Sequence, residues 1–264
     1  MMRALSIAAT GGKAMMDRVD TIANNLANVS TNGYKKQRAN FADLFYQQVQ
    51  RAGFGEPGRD QNPTGQSFGT GVKLVSTEKI FTQGTLQRTE RELDLAIEGE
   101  GFLRVLLPDQ TPAYTRAGNF NKDAQGNFVT AAGLRLDPPI TVSQNVVGIL
   151  IDQTGLIQGF DPQTPDTLTT VGQLELTRFV NPSGLEAIGD NLYRATAAAG
   201  DPIEGQPGQG QGFGSIRQGF LEQSNVDVVQ ELVDMISAQR AFEVNSKSIQ
   251  TADEILQNVN SIRR

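Results

Sequence analysis

The chain has 264 residues, enough for one large domain or two with a buried core. Apolar residues make up 38% and aromatic residues 6%, and the 28 glycines indicate a turn-rich protein with modest packing. A net charge of −6 without a basic stripe argues against a nucleic-acid partner. The absence of cysteine and histidine excludes disulfides and thiolate chemistry and argues against a zinc site, so we expect no metal and no cofactor.

The first 33 residues show the period of a helix. Apolar or small residues recur at alternating steps of three and four, which predicts one face that meets another helix. These residues are Leu5, Ala8, Gly12, Met15, Val19, Ile22, Leu26 and Val29. Asparagines lie beside this face at Asn24, Asn25 and Asn28. Because Asn32-Gly33 readily takes positive φ, we expect a helix over residues 1–33 that closes near Thr31 to Asn32.

The last 43 residues, 222–264, show a second helical stripe. Its members are spaced by seven residues, at Val228, Met235, Phe242, Ile249 and Leu256, and it is widened by Leu232, Val233, Ile236, Val259 and Ile262. Ser224 or Asn225 is a suitable N-cap, and Asp227 suits the first turn. Two interpretations are open: an antiparallel hairpin that closes the core of a monomer, or a coiled-coil-like layer that needs further neighbours. Gly12 and Gln239 favour the second, because these seam positions bury little.

Residues 34–92 read as an extended connector. Its segment at about 46–70 is rich in Gly, Gln and Pro, and such a composition cannot order itself alone. A β-hairpin is expected after it, with strands near 72–81 and 85–89 on either side of the Gln83-Gly84 turn. Residues 93–221 then hold short strands separated by turn residues, which is typical of a β barrel or sandwich. The fold class predicted is therefore α+β.

Several short motifs resemble those of enzymes or ion-binding loops, but each lacks a residue or an arrangement that its chemistry requires. The glycines of residues 208–214 lack the lysine of a phosphate loop. Asp94 and Glu98 fall on one side of a predicted strand, which we interpret as a solvated face rather than an acid pair. Asn121 begins a calcium-like loop with Asp123 at its third position, but the twelfth position is Ala132 instead of glutamate, so a hairpin turn is expected there. No catalytic residue is predicted.

The polar residues of the helices allow two interpretations. Besides the three asparagines near the N-terminus, they include Gln239, Arg240 and Asn245. They could form a wet helix surface, or they could fix the register between packed helices, since polar groups beside a seam do so at some cost in stability. The residues alone do not separate these alternatives.

Five blocks of sequence carry a resemblance to a known family. They are ANNLANVSTNGYKK, LDLAIEGEGF, YTRAGNF, FVNPSGLEAIGDNLY and SNVDVVQELVDMISAQRAFEVNSKSIQTADEIL. In this order they resemble the axial proteins of the bacterial flagellum, the basal-body rod family, and their lengths are most similar to its distal rod members. The resemblance covers nearly the whole chain and adds Tyr34 to the family motif with Asn32 and Gly33.

The family resemblance implies a structural function. Subunits are expected to polymerise into the helical tube of the distal rod, the drive shaft that transmits torque from motor to hook; a proximal rod or hook protein is the alternative. It implies contacts with copies of the chain, with proximal rod proteins, the hook protein and the P and L ring proteins, and passage through the flagellar type III export apparatus. It also implies that the 46–70 insertion packs between subunits, and that the seam and polar residues make assembly contacts.

The expected location is the basal body, in the part of the rod that crosses the periplasm. The N-terminus lacks a long apolar region and a cleavage site, so export without a cleaved signal peptide is expected. No apolar run approaches the roughly 20 residues of a membrane span, so no membrane insertion is expected. Two rivals are a cell-wall enzyme, which lacks a convincing acid pair, and a membrane-surface module, which the acidic residues Asp17, Asp20, Asp227 and Glu231 disfavour.

Overall fold

The computed structural model describes residues 2–50, 64–143, 146–161, 164–208, 210 and 212–262. It is an α+β fold with a helix at each end of the described chain and strands between them. In chain order the elements are α1 (Met2–Ala27), β1 (Gln37–Asp43), β2 (Gln47–Gln50), β3 (Gln66–Phe68), β4 (Val72–Lys79), β5 (Leu86–Arg88), β6 (Leu95–Glu98), β7 (Leu103–Leu106), β8 (Pro112–Thr115), β9 (Asn121–Lys122), β10 (Phe128–Val129), β11 (Arg135–Asp137), β12 (Gly148–Ile151), β13 (Leu156–Asp161), β14 (Thr164–Gln173), β15 (Leu176–Arg178), β16 (Glu186–Gly189), β17 (Leu192–Arg194), β18 (Ile203–Gly205), β19 (Ser215–Gln218), β20 (Phe220–Glu222) and α2 (Val228–Ile262).

The chain divides into two compact units. The helical unit comprises Met1–Ala27, Gln37–Glu78 and Asp227–Arg264, and the β unit comprises Asn28–Lys36 and Lys79–Val226. The chain therefore leaves the helical unit after Ala27 and returns to it at Gln37. A second, longer segment, from Lys79 to Val226, completes the β unit. The short segment Asn28–Lys36, called the anchor segment below, belongs to the β unit although it lies near the N-terminus.

Within the helical unit, α1 and α2 pack side by side. Asn25 bonds to Glu231, whereas Gly11 lies beside Asn245, so the two helices run antiparallel. Strands β1 and β4 pair with each other, and β2 and β3 form an antiparallel pair in which Gln47 faces Phe68. Helix α1 also packs against β1. The apolar period of both helices accounts for their mutual packing.

The β unit is built around a seven-stranded sheet. Its strand order is β16-β17-β8-β7-β11-β10-β9, and β7 and β8 pair antiparallel with Leu103 opposite Thr115. Smaller sheets join β12-β13-β14, β15-β18, β6-β19 and β5-β20. The main core is formed by apolar side chains of alternate strand positions, including Leu95, Ile97, Leu103, Val105, Phe120, Phe128, Leu136, Ile157, Leu174, Leu176 and Ile216.

A second cluster in the β unit is aromatic. Phe102 packs edge-on against Phe179, and Tyr114 packs on the same Phe179 with ring centroids 4.8 Å apart. Tyr193 is buried beside them, and burial raises the pKa of its phenol well above the usual value. Edge-to-face contacts of this kind add stability beyond the area they bury.

Helix α1 ends earlier than its apolar pattern predicts. It stops at Ala27, rather than near Thr31 to Asn32. The Asn28 carbonyl accepts the Thr31 N–H at 3.1 Å, and the Asn28 side chain accepts the Thr31 hydroxyl, so a local turn replaces the helix. The positive φ predicted at Gly33 is present, at 71°.

The cap of α2 also differs from the prediction. Asp227 caps the helix, because its Oδ1 accepts the backbone N–H groups of Val229 and Gln230 at 2.9 and 3.2 Å. Asn225 belongs to the β unit, where its Nδ2 donates to the carbonyls of Ile80 and Thr82. The prediction of Ser224 or Asn225 as the cap was wrong, since Asn225 is occupied elsewhere.

Two strand predictions need correction. The expected hairpin between residues 72–81 and 85–89 is not formed: β4 pairs with β1, and β5 pairs with β20, with Leu86 opposite Glu222. Asp94 is not on a solvated face, because it is 1% exposed, while Glu98 is exposed. The turn at Asp123 is confirmed: the carboxylate accepts the N–H groups of Gln125 and Asn127, and hydrogen bonding to Asn127 lowers its pKa.

Candidate assembly surfaces

The contact between α1 and α2 is centred on small side chains. Ala8, Gly12 and Ala238 are buried there, and a Cβ added at Gly12 would lie 3.7 Å from the Phe242 ring. A Cβ added at Gly11 would lie 3.2 Å from the Asn245 carboxamide. Small residues allow two helices to approach closely, but they bury little apolar area. The seam is therefore close and thin.

A buried polar contact fixes the register of this seam. The Asn25 Nδ2 donates to Glu231 Oε2 at 3.1 Å and to the Gln37 carbonyl at 2.8 Å, and Asn25 Oδ1 accepts the Gln37 N–H. Asn25 and Glu231 are each 1% exposed. Arg18 and Asp234 form a further, half-exposed ion pair between the helices. Asn25 thus joins α1, α2 and the first residue of β1 at one point.

The predicted seam residues differ in burial, and Ala8 and Gly12 are among the buried ones, with Gly12 beside the Phe242 ring. Ile22 is buried, and Leu5, Val19, Leu26, Val29, Met235, Ile249 and Leu256 are half-buried. Val228, Leu232 and Phe242 are exposed by 39%, 43% and 38%. The buried line of α2 instead runs through Glu231, Ala238 and Ala252, with Asn245 half-buried between them. The sequence search for large apolar residues missed this line because its members are small or polar.

The outer side of α2 carries a second apolar stripe in the N-terminal half of the helix. Val229, Val233, Ile236 and Val244 are exposed by 71%, 56%, 51% and 66%. At 100° per residue they lie on the side of the helix opposite Glu231 and Ala238. The prediction that Val233 and Ile236 widen the seam was therefore wrong, because both are exposed on this other side. Arg240 lies on the same side between Ile236 and Val244, and toward the C-terminal end this side becomes polar at Lys247 and Thr251. Helix α2 therefore has two apolar faces, of which α1 covers one.

The predicted polar residues divide between the two units. Asn24, Gln239 and Arg240 are exposed on the helices, and Asn245 is half-buried in the seam. Asn28, Asn32, Gly33 and Tyr34 lie in the anchor segment of the β unit. The structure thus places Asn25 and Asn245 in the helix seam, whereas the four anchor residues belong to the β unit.

The anchor segment is held in the β unit by a buried carboxylate. The carbonyl of Glu222 accepts the Gly33 N–H at 2.7 Å. Its side chain accepts Lys35 Nζ at 2.6 Å and Arg116 Nε at 2.9 Å, and both Lys35 and Glu222 have fully buried side chains. Lys35 also donates to the Thr82 carbonyl. The Glu222 side chain also accepts the Gly84 N–H at 2.9 Å, so this glutamate on β20 contacts three other segments of the β unit.

The electrostatics of this cluster are unbalanced, because two cations share one carboxylate. Burial, together with the nearby Arg116 guanidinium, lowers the pKa of Lys35 to about 8, although Glu222 acts in the opposite direction. A guanidinium stays protonated, so the proton that leaves first in alkaline solution is that of Lys35.

A third surface is formed by exposed aromatic side chains just before β2 and an exposed valine within it. Phe45 is 93% exposed and Tyr46 57% exposed, and Val49 is 60% exposed on β2. Asp43 accepts a hydrogen bond from Tyr46 and raises the pKa of its phenol. Of the predicted insertion at 46–70, residues 51–63 lie outside the described residues, and the remainder forms the arms of this strand pair.

Among the described residues, no group of three or more acidic side chains is placed to hold a metal ion. No described helix is long and apolar enough to cross a membrane.

Comparison with known proteins gives matches along the chain. Residues 5–35 match the flagella basal body rod protein family, residues 96–159 match the D1 domain of the flagellar hook protein FlgE/F/G family, and residues 217–262 match the flagellar basal body rod FlgEFG protein C-terminal family. These matched segments hold most of α1, strands β7 to β12 of the β unit, and α2.

Several whole-length relatives are flagellar basal-body rod proteins named FlgG. The one from Borreliella burgdorferi is 46% identical, with all of both chains covered. The one from Caulobacter vibrioides is 47% identical over 99% of this chain and all of its own. The one from Bacillus subtilis is 38% identical over all of both chains.

Helices at both ends and a β unit between them, each matched by flagellar profiles, define an axial protein of the flagellum. With whole-length relatives at 38–47% identity, the chain belongs to the family of flagellar basal-body rod proteins. Its function is structural, in the distal rod, as the sequence predicted.

The register contact gives a first prediction. Asn25→Ala should lower the free energy of unfolding of the helical unit by about 2–4 kcal/mol, because the buried Glu231 carboxylate then loses the hydrogen bond that the Asn25 amide donates. Gln239→Ala, at an exposed position of α2, should change it by less than about 0.5 kcal/mol. Urea unfolding followed by helix content measures both. Equal losses in the two variants would contradict the assigned role of Asn25.

The buried lysine gives a prediction about pH. Between about pH 8 and 10.5 the folded chain has released the Lys35 proton while the unfolded chain retains it. Unfolding free energy should therefore rise with pH in this window, by at most about 1.4 kcal/mol per pH unit. Below pH 10 the raised pKa of Tyr193 does not oppose this trend, since an ordinary tyrosine is still neutral there.

The matched control for this pH effect is Lys35→Met, which keeps the length of the side chain and removes the titrating group. Denaturant unfolding at several pH values should give a smaller slope in Lys35→Met than in the parent chain. An identical slope in both proteins would show that Lys35 is protonated in the folded chain throughout this range.

Proposed function

We propose that this chain polymerises with copies of itself into the helical tube of the distal rod, and that the tube transmits torque from the motor to the hook. The observation that supports this most directly is the second apolar face of α2, at Val229, Val233, Ile236 and Val244. An exposed apolar face is costly in an isolated chain and is removed from water when another helix covers it. In this proposal the face packs on a different surface of the next copy, and such a heterologous contact can propagate into an open helical filament.

In this proposal the terminal helices form a coiled-coil-like inner layer of the tube, and the central β region, with a barrel- or sandwich-like shape, forms the outer part. The functional regions are residues 1–33 and 222–264 for the inner layer, 93–221 for the β region, and 34–92 for the connector and insertion. The thin seam between α1 and α2 supports this arrangement, because further helices would add the apolar contact that the pair lacks.

The predicted site residues then act in assembly. The half-buried and exposed members of the stripe, among them Val228, Leu232 and Phe242, would gain burial from a neighbouring subunit. The exposed amides and guanidinium of Asn24, Gln239 and Arg240 would fix the register between subunits, since such groups pair directionally. Exposed Phe45 and Tyr46 would let the 46–70 insertion pack between subunits.

The partners proposed are copies of this chain, the proximal rod proteins, the hook protein, the P and L ring proteins and the type III export apparatus. The location proposed is the rod where it crosses the periplasm, reached by export without a cleaved signal peptide. No nucleic-acid partner, membrane insertion or cofactor belongs to this proposal. The family is one of structural rod proteins rather than enzymes, and we extend this to the chain itself.

The outer face of α2 gives the main test. Val233→Asp should block polymerisation and abolish swimming, because assembly would bury an unpaired carboxylate at a cost of several kcal/mol. The monomer should keep its helix content, since Val233 is exposed. Thr251→Asp, on the same side of the polar half of α2, should assemble normally. Electron microscopy, circular dichroism and motility assays measure these outcomes, and normal swimming with Val233→Asp would rule the proposed contact out.

The insertion gives a second test. Deleting residues 53–65 should leave polymerisation intact but change the curvature of the rod, because the tube loses the segment that packs between subunits. A variant with the same residues in scrambled order keeps the length and serves as the control for segment length. Straight rods of normal length in the deletion variant, seen by electron microscopy, would refute a role of this insertion in rod shape.

A further inference from the structure

The anchor segment contains Asn32-Gly33, and no other asparagine of the chain is followed by glycine. An asparagine side chain is attacked by the backbone nitrogen of the next residue, and glycine permits this attack best because it has no side chain to hinder it. In an unfolded chain Asn32 is therefore the asparagine most prone to deamidation. The folded β unit changes the chemistry of this dipeptide.

The attacking nitrogen is occupied in the folded chain. The Gly33 N–H donates to the Glu222 carbonyl at 2.7 Å, and Gly33 is buried with a φ of 71°. The neighbouring peptide oxygen is held as well, because the Asn32 carbonyl accepts Asn191 Nδ2 at 2.9 Å. Both polar atoms of the reactive peptide unit are thus fixed, and the nitrogen is directed away from solvent.

The acceptor of this bond is fixed in turn. Glu222 lies on β20, opposite Leu86 of β5, and its carboxylate binds Lys35, Arg116 and the Gly84 N–H. The Gly33 nitrogen can be freed only if the anchor segment leaves this cluster. Protection of the dipeptide therefore reports whether the anchor segment is docked.

The fold does not exclude water from Asn32. Asn32 is only half-buried and borders a groove of about 450 Å³, together with Thr31, Asp190 and Asn191. Hydrolysis of an activated intermediate would proceed there. The step that the fold blocks is the first one, attack by the Gly33 nitrogen.

We propose that Asn32 is a deamidation site that is closed while the anchor segment is docked and open when it is released. The Gly33 nitrogen loses its proton and bonds to Cγ of Asn32, the Cγ–Nδ2 bond breaks, and the side-chain nitrogen leaves as ammonia. Water then opens the resulting succinimide at one of its two carbonyls, giving aspartate or isoaspartate. No oxidant, metal or enzyme is needed.

The modification would make release of the anchor segment permanent. Isoaspartate inserts an extra methylene into the backbone between residues 32 and 33, so the Gly33 N–H no longer meets the Glu222 carbonyl. A Cβ at Gly33 would already lie 2.8 Å from the Ala117 nitrogen, which shows how little displacement the site accepts. Chains that remain unfolded for long would then lose the ability to complete the β unit.

The test compares the full-length chain in mildly alkaline buffer with the same chain in guanidinium chloride. Mass spectrometry of tryptic peptides follows deamidation at Asn32 and, as an internal control, at Asn245, which precedes a serine in α2. In denaturant we expect Asn32 to deamidate before Asn245. In the folded chain the deamidation rate of Asn32 should be lower by a factor of about 100 or more, because the reaction then requires the anchor segment to open. Equal rates at Asn32 in both conditions would overturn the proposal.

Two variants sharpen the result. Asn32→Gln should abolish the modification of this peptide in denaturant, because attack would require a larger ring, and persistence of the modification would assign it to another residue. Glu222→Gln should raise the rate in the folded chain at least several-fold, whereas Glu186→Gln, at an exposed ion pair with Arg194, should not. An unchanged deamidation rate in folded Glu222→Gln would show that the Glu222 cluster does not control the site. If this variant fails to fold, the parent chain in buffer and in guanidinium chloride gives the deciding comparison.

Discussion

The buried carboxylate of Glu222 is the constraint on which the β unit depends. It takes hydrogen bonds from Lys35 and Arg116, while its carbonyl takes the Gly33 N–H. Burying three charges is costly, and replacing such a group by apolar residues often stabilises a protein, so the cluster is weak evidence for high stability. Removing one member, however, leaves a buried charge without its partner, which is strongly destabilising. The cluster therefore contributes specificity, because its hydrogen bonds form only when the anchor segment is in one position.

The helical unit uses the opposite principle. Its seam is made of small residues, so α1 and α2 approach closely and bury little area, and the polar contact of Asn25 with Glu231 decides the register. Because α1 covers only one side of α2, the apolar stripe that includes Val229 and Val233 remains in water. A helix pair with this distribution of apolar surface is marginal alone and gains from every further helix that packs on it. Such a surface suits a family whose function is structural.

Features that depend on local sequence were predictable. The two helices, the short strands between them, the turn at Asp123 and the positive φ of Gly33 all follow from period and turn chemistry. Features that depend on distant partners were not. Asn225 is as good a helix cap as Asp227 by type, yet contacts with Ile80 and Thr82 remove it from the helix. Likewise, no local signal pairs β5 with β20 instead of β4, and the buried line through Glu231 and Ala238 lacks the large apolar residues that a periodicity search weighs.

The stretch from Asn24 to Lys35 shows why one short motif carries so much of the family resemblance. The chain passes from the helical unit to the β unit within it, after Ala27. Asn25, before this point, closes the helix seam, and Gly33 and Lys35, after it, close the β unit through Glu222. A substitution at Asn25 should therefore impair the helical unit through the lost amide, and one at Lys35 should impair the β unit through the lost charge. A single continuous segment thus contributes buried contacts to the internal order of both units.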